Sequence, residues 1–138
     1  MSYTIYNPTT GQIQYTIFGG QINLDSLIYV EGAYNDKEHY IDISTKTPIT
    51  KPVKPSIYHN WDITNKTWVL DDIRLINNIR LQRNQLLTAI DRVNPVWYST
   101  LTADQQTELQ TYRTALLNVP QQSGFPETIT WPNKPAWL

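Results

Sequence analysis

Few residues of this chain have the chemistry needed for acid–base catalysis, and carboxylates are the commonest of them. Asp71 is followed by Asp72, and Asp104 lies four residues before Glu108. Hydrolysis of a glycosidic bond requires two carboxyl groups held at a set separation in a cleft. Acidic residues are also typical of the first turn of a helix, where the helix dipole favours negative charge. We interpret both pairs as helix starts.

Nucleophilic, metal and phosphate chemistry find even less support in the sequence. The chain contains no cysteine, so it can form neither a thiolate nucleophile nor a disulfide. The two histidines, His39 and His59, have no nucleophile pattern beside them, and the sequence places no carboxylates with them for a zinc site. Gly19-Gly20 is not followed by the Lys-Ser or Lys-Thr of a phosphate-binding loop. We predict a protein that is not an enzyme and that binds no metal and no cofactor.

Composition indicates how the protein meets its partners. The 138 residues carry a net charge of −1, and 17% of them are charged, so no basic surface for a nucleic-acid backbone is expected. No window reaches the roughly 18 to 20 apolar residues of a membrane-spanning helix, and no signal peptide is recognisable. Nine tyrosines and five tryptophans stand against two phenylalanines, and tyrosine and tryptophan are favoured at protein interfaces. We predict partners bound through aromatic and apolar surface, without nucleic acid or membrane insertion.

The elements that would position these residues divide into two modules. All five arginines follow residue 73, whereas five of the six lysines precede it. We predict a small antiparallel β module at 1–70 and a helical module at 71–138, which together form an α+β fold.

The first module shows the alternation of apolar and polar residues that is typical of strands. Two such stretches, 3–6 and 12–18, flank a turn that ends at Gly11, as in a β-hairpin in which glycine supplies a positive φ. Three further extended segments are predicted at 27–31, at 39–43 and at 48–55, the last being a proline-rich connector or edge segment.

The end of the first module, 58–70, is predicted to form a hairpin that pairs two tryptophans. Trp61 and Trp68 lie on either side of residues whose types favour a tight turn. Across such a turn the two rings can meet as a cross-strand pair, which is worth about 0.2 to 1 kcal/mol. The pair could close a small sheet, or it could form a stacking platform for a sugar.

The second module is predicted to contain two helices. The first carries apolar residues at three- and four-residue intervals from Ile73 and ends near Val93, because Pro95 disfavours its continuation. The second begins at a capping-box pattern, 102–105, and ends at Pro120. The positions predicted to face the core are Ile76, Ile79, Leu86, Leu87 and Ile90, widened by Leu75 and Leu81, in the first helix, and Leu109, Tyr112, Leu116 and Leu117 in the second.

An extended tail follows the second helix. Its prolines remove backbone donors and disfavour helix in the residues before them. Two short helices alone would make a poor core, so we expect the apolar residues of the tail to cover the groove between them. These residues are Phe125, Ile129, Trp131 and Trp137.

Arginines on the predicted helices have two interpretations. Arg80 and Arg83 lie three residues apart among apolar residues, and Arg113 follows Tyr112. Their side chains could pair within the chain, with Asp91 or with tail carbonyls, or they could dock a partner. The candidate partner-binding residues are Arg80, Arg83, Asn84, Tyr112, Arg113, Phe125, Trp131 and Trp137.

Together these motifs resemble the C-terminal domain of the phage tail assembly chaperone and tail-fibre assembly proteins of tailed bacteriophages. The resemblance rests on Arg83-Asn84-x-Leu86-Leu87, Leu101-Thr102, Tyr112-Arg113-x-x-Leu116, Pro120, Gly124-Phe125-Pro126 and Trp131-Pro132-x-x-Pro135. The segments 7–13, 30–32 and 39–42 are similar to the opening hairpin and next strands of that family. One departure is that Arg92 follows Asp91, where family members commonly have Asp-Trp, and Trp97 comes later.

The resemblance implies a non-enzymatic phage morphogenesis factor. Such a protein binds a tail-fibre or baseplate component, which is trimeric, and it is either a transient chaperone or a structural subunit of the virion. It is expected in the host cytoplasm during assembly and in the virion tail. The alternative is a carbohydrate-binding receptor-recognition module of the tail, with Trp61 and Trp68 as its glycan-stacking residues.

Overall fold

The computed structural model describes all residues, 1–138, and has an α+β architecture, which confirms the predicted fold class. Contacts divide the chain into two compact units, Met1–Leu70 and Asp71–Leu138, called the β unit and the helical unit below. The strands are β1 (Ser2–Tyr6), β2 (Ile13–Phe18), β3 (Tyr29–Glu31), β4 (His39–Asp42), β5 (Thr47–Thr50), β6 (His59–Asp62) and β7 (Thr67–Leu70). The helices are α1 (Asp72–Asp91), α2 (Pro95–Thr100) and α3 (Ala103–Leu117).

The first sheet of the β unit has β1 at its centre, paired antiparallel with β2 and with β3. Thr4 of β1 is fully buried. Its hydroxyl donates to the carbonyl of Gly32 (2.8 Å) and accepts from the backbone N–H of Tyr34 (3.0 Å). Because a buried hydroxyl without partners is costly, these bonds fix the loop after β3 against the sheet. The buried apolar cluster of this unit consists of Tyr6, Ile13, Val30 and Ile41.

Three hairpins of the β unit, β1–β2, β4–β5 and β6–β7, share one turn design. At the first turn position a side-chain oxygen accepts from the backbone N–H groups two and three residues later, at 2.8 to 3.2 Å. The fifth turn position has a positive φ in each hairpin. The residues are Asn7, Asp42 and Asp62 at the first position, and Gly11 (77°), Lys46 (56°) and Lys66 (55°) at the fifth.

Gly11 meets a second requirement besides its positive φ, which confirms the predicted glycine turn. Its carbonyl accepts a hydrogen bond from the backbone N–H of Ile41 at 2.8 Å. A Cβ at this position would lie 1.9 Å from the carbonyl oxygen of Ile41. The first turn thus touches the second hairpin backbone to backbone, and a side chain here would separate them.

The second and third hairpins are also related in sequence. The pattern His-x-x-Asp-Ile-Ser/Thr-x-Lys-Thr begins at His39 and again at His59. Prediction strand by strand misses this repeat, because the x positions differ in type. Within the third hairpin Trp61 pairs with Trp68, which confirms the predicted cross-strand pair. The segment predicted as a connector, 48–55, begins inside β5, which pairs with β4 as an edge strand.

Helix starts in the second unit agree with the predicted caps. Asp71 accepts from the backbone N–H of Arg74 at 3.1 Å and begins α1. Thr102 accepts from the N–H of Gln105 at 3.2 Å, and the Gln105 side chain accepts from the N–H of Thr102 at 3.0 Å, so the capping box is complete.

The prediction of two helices is wrong in one respect, because a short third helix, α2, follows α1. Asn94 caps α2 by accepting from the N–H of Val96 at 2.8 Å. Pro95 occupies its first turn, where N–H groups have no helical partner, so proline is well tolerated there. The residue expected to end one helix therefore also begins the next.

The helical core lies between α1 and α3, with the tail folded back onto it. It consists of Leu87, Ile90, Leu109, Tyr112 and Leu116, against which Tyr98, Leu101, Trp131, Trp137 and Leu138 pack. This confirms the predicted covering role of the two tail tryptophans. The apolar stripes are narrower than predicted, since Leu81, Leu86 and Leu117 are exposed. A helix buries only the side that its neighbours cover.

Candidate partner-binding surfaces

A groove of about 320 Å³ lies beside α2 in the helical unit and is called the α2 groove. Its floor includes Ile90 and Leu109, which also belong to the core. Apolar side chains contribute most of its surface, and polar groups lie at its rim. The lining residues are Ile90, Asp91, Val93, Pro95, Tyr98, Leu109, Gln110 and Arg113.

Asp91 and Arg113 form an ion pair at the rim of the α2 groove. Arg113 Nε donates to Asp91 Oδ1 at 2.8 Å, and both side chains are about half exposed. This hydrogen bond is the main reason that the pKa of Asp91 lies below its ordinary value and that of Arg113 above. The sequence suggested this pairing as one of two roles for Arg113. The charges of the pair balance, so the rim is electrically neutral at pH 7.

The predicted tail residues occupy defined places in the helical unit. Trp131 and Trp137 pack on the core, and Phe125 is half buried. The indole of Trp137 donates to a carboxylate oxygen of Glu108, and its ring lies 6.4 Å from that of Trp97, centroid to centroid. Sequence reasoning identified Trp137 but not Trp97, which comes within reach of it through the unpredicted helix α2.

A second groove, of about 480 Å³, runs between α3 and the tail. Tyr112, a predicted binding residue, contributes to it, although its side chain is largely buried in the core. The other lining residues are Thr107, Glu108, Thr111, Ala115, Pro132, Asn133, Lys134 and Pro135.

The remaining predicted binding residues lie on α1, away from both grooves' linings. Arg80 is exposed, whereas Arg83 is half buried. The guanidinium of Arg83 donates to the side-chain oxygen of Asn84 through Nε (3.2 Å) and Nη2 (2.9 Å). A role for these three residues in partner binding stays a prediction.

The aromatic pair of the β unit is engaged within its own unit. Trp61 lies 5.1 Å from Trp68 and 5.6 Å from Tyr40, centroid to centroid. The ammonium of Lys51 lies 4.9 Å from the Trp61 ring, close enough for a cation–π contact. Trp68 donates its indole N–H to the carbonyl of Pro52 at 2.7 Å. Glycan stacking on these tryptophans stays a prediction.

Lys51 is a buried lysine within the segment predicted as a connector. Its side chain is only 4% exposed. The ammonium donates to the backbone carbonyl of Asp36 and lies 3.9 Å from a carboxylate oxygen of the same residue. Burial lowers the pKa of Lys51, and the nearby Asp36 carboxylate partly offsets this effect.

The residues first considered for catalysis are spread over the structure. His39 begins β4 and packs edge-on against Tyr34, whereas His59 begins β6 and contacts the Ser56 hydroxyl at 2.8 Å. No three side chains of the metal-ligating types converge. None of the helices combines the length and the apolar character of a membrane-crossing segment.

One part of the chain is similar to a known protein family. Residues 76–136 match the family described as phage tail assembly chaperone protein, which confirms the resemblance over that segment. The match begins inside α1 and ends in the tail, and the β unit lies outside it. No curated protein and no solved structure matches the chain. The helical unit is therefore where this chain is similar to phage tail assembly chaperone proteins, and the match supports a role in phage tail assembly.

Proposed function

We propose that this chain is a phage tail assembly factor that acts by binding, and that its helical unit docks on a tail-fibre or baseplate protein. The observation that carries the proposal is the position of the family match. Residues 76–136 include every residue that lines the two grooves. The surface suited to a partner and the segment similar to tail assembly chaperones are thus the same part of the chain.

The proposed role is non-enzymatic. Three of the four charged groups that line the grooves are engaged with neighbours: Arg113 pairs with Asp91, and Glu108 accepts from the Trp137 indole. A general base works best when its pKa lies near the operating pH, whereas the pKa of Asp91 is lowered. These contacts support a recognition surface.

Co-purification of the full chain with tail proteins tests the proposal. We would co-express it with the tail-fibre protein of the same phage, with the baseplate protein in a parallel culture, and with the major capsid protein as a control. Co-elution with the fibre or baseplate protein in size-exclusion chromatography is the expected result. Co-elution with neither, or equal co-elution with the capsid protein, would contradict it.

The place of the protein after assembly follows from a second measurement. A chaperone leaves the finished particle, whereas a structural subunit remains in it. Quantitative mass spectrometry of purified virions separates the two forms of the proposal. A copy number equal to that of the fibre chain identifies a structural subunit, and absence from the virion identifies a chaperone.

A further inference from the structure

We propose that the α2 groove binds an uncharged, extended segment of the tail protein, which inserts one apolar side chain against Ile90 and Leu109 and presents its peptide groups to Arg113 and Asp91. The inference rests on the proposed function and adds the place and chemistry of the contact. It follows from the apolar floor of the groove, the exposed helix beside it and the balanced charge at its rim.

The floor and size of the groove suit a side chain. Ile90 and Leu109 belong to the core, and the small part of each side chain that remains accessible lines the groove, so the floor of the groove is apolar. The volume of about 320 Å³ is at the lower end of the roughly 300 to 1,000 Å³ of ligand cavities. Binding is stabilised when an apolar side chain of a partner displaces water from the apolar surface of such a depression.

The helix beside the groove is apolar although it has no buried residue. Pro95 and Tyr98 of α2 line the groove, and between them Val96 and Trp97 are 72% and 39% exposed. Exposed apolar surface rimmed by polar residues marks interaction sites, and tryptophan is among the residues that contribute most to binding. Pro95 and Tyr98, three positions apart, share the face of α2 that lines the groove, so this face of the helix belongs to the docking surface.

The rim pair selects the charge of the occupant. Arg113 has five N–H donors, of which Nε bonds Asp91 while the four on the terminal nitrogens form no hydrogen bond within the chain. Asp91 accepts through Oδ1, which leaves Oδ2 as an acceptor. A charged partner group would meet one attractive and one repulsive charge here. A peptide C=O and N–H satisfy both groups, so an uncharged backbone is favoured.

A variant that fills the groove tests this assignment. Gln110 is an exposed rim residue whose side-chain amide donates to the Tyr98 hydroxyl at 3.0 Å, so Gln110→Trp adds bulk to the groove and removes this one hydrogen bond. Titration calorimetry of the full chain against the tail protein that co-elutes with it should show Kd raised about tenfold or more. Gln110→Ala removes the same bond without adding bulk, and its Kd should stay close to that of the wild type. Thr114→Trp is the matched control, since it adds the same side chain to an exposed site on α3 outside this groove, and its Kd should stay close to that of the wild type.

The chemistry of the occupant has its own test. Overlapping peptides that span the bound tail protein are titrated with the full chain, and the tightest binder should have an apolar residue flanked by uncharged ones. Its Kd should change little between about 0.1 M and about 1 M salt, over which the Debye length falls from ~10 to ~3 Å. Arg113→Lys should raise the Kd of this peptide, because the lysine ammonium lacks the planar fork of donors that arginine has.

The outcomes separate the groove from the function. Wild-type binding to a tail protein that Gln110→Trp leaves unchanged, with the fold of the variant verified by far-ultraviolet circular dichroism, would overturn the groove assignment and leave the proposed function standing. A strongly salt-dependent, charged best peptide would overturn the uncharged occupant. Failure of the wild-type chain to bind any tail protein would refute the proposed function itself.

Discussion

The β unit and the helical unit are stabilised in different ways. In the β unit, each hairpin is set by bonds inside its own turn, such as those from Asp62 to residues two and three positions away. In the helical unit, the important contacts join distant residues, such as Trp137 with Glu108, 29 residues earlier. The first unit repeats one local turn design three times around a small apolar cluster of its own, whereas the second depends on a core that both long helices and the tail share.

This difference shows where each unit is vulnerable. A change in one turn of the β unit affects the contact that this turn makes, while a change in the helical core affects both long helices and the tail together. The proposed binding surface, the α2 groove, lies on the helical unit, where packing between distant residues forms the surface. Three predictions test the comparison, from the largest expected effect to the smallest.

Leu116→Ala should have the largest effect, because Leu116 is fully buried at the centre of the helical core. Removal of a buried leucine side chain costs roughly 2 to 5 kcal/mol in the free energy of unfolding, through lost burial and the cavity left behind. Chemical denaturation followed by helical circular dichroism measures it. Leu117→Ala, the next residue and 40% exposed, should cost under about 1 kcal/mol. Equal losses for the two variants would contradict the assignment of the core.

Gly11→Ala should lower the stability of the protein by an intermediate amount, and the loss should be concentrated in the β unit. The substitution adds a Cβ where φ is 77° and where the carbonyl of Ile41 leaves no space, and such strain costs roughly 1 to 3 kcal/mol. Amide hydrogen exchange resolved by peptide should show lost protection in β1, β2 and β4. Gly20→Ala, with open space around the new Cβ, should leave exchange unchanged. Lost protection confined to the helical unit would break the comparison between the units.

Acid should weaken the β turns by a smaller amount. The hydrogen bond from the Ser44 hydroxyl chiefly lowers the pKa of Asp42, and that from the Asn65 backbone chiefly lowers the pKa of Asp62, below the ordinary 3.8. Since both folded-state pKa values lie below the unfolded ones, the stabilisation is present above about pH 3.8 and is lost as pH falls through the folded-state values. Denaturation at a series of pH values from about 5 to about 2 measures this loss.

The double variant D42N/D62N tests the source of that acid sensitivity. Asparagine keeps an oxygen acceptor for the turn but does not titrate in this range, so the unfolding free energy of the variant should fall less steeply with acid. Asp25→Asn, in the loop between β2 and β3, is the matched control and should retain the wild-type slope. A double variant with an unchanged slope would mean that other carboxylates are responsible.

Elements fixed by neighbouring residues could be predicted from the sequence. The positive φ of Gly11, the cap at Asp71, the capping box at Thr102 and the pairing of Trp61 with Trp68 all depend on residues within about one turn or one hairpin. Two of the four apolar tail residues, Trp131 and Trp137, were correctly expected to cover the helices. Short-range chemistry such as capping competes with few alternatives, so its patterns are informative.

Elements that depend on the path of the whole chain could not be predicted in this way. The helix α2 was missed because Pro95 can end one helix or begin another, and the choice depends on whether Asn94 is placed to cap it. The exposure of Leu86 and the burial of Lys51 depend on which distant residues come to cover each side chain.

The sequence by itself determined the fold class, the turns, the helix caps and the likeness of 76–136 to tail assembly chaperones. Tertiary structure decided that Asp91 and Arg113, 22 positions apart, form an ion pair and that α2 remains exposed. It also decided that the ion pair and α2 line one groove with an apolar floor. The physical reason is the distance along the chain between the residues that interact. Hydrogen bonds in turns and caps are made by adjacent residues, whereas burial is shared among residues that only the folded chain brings together.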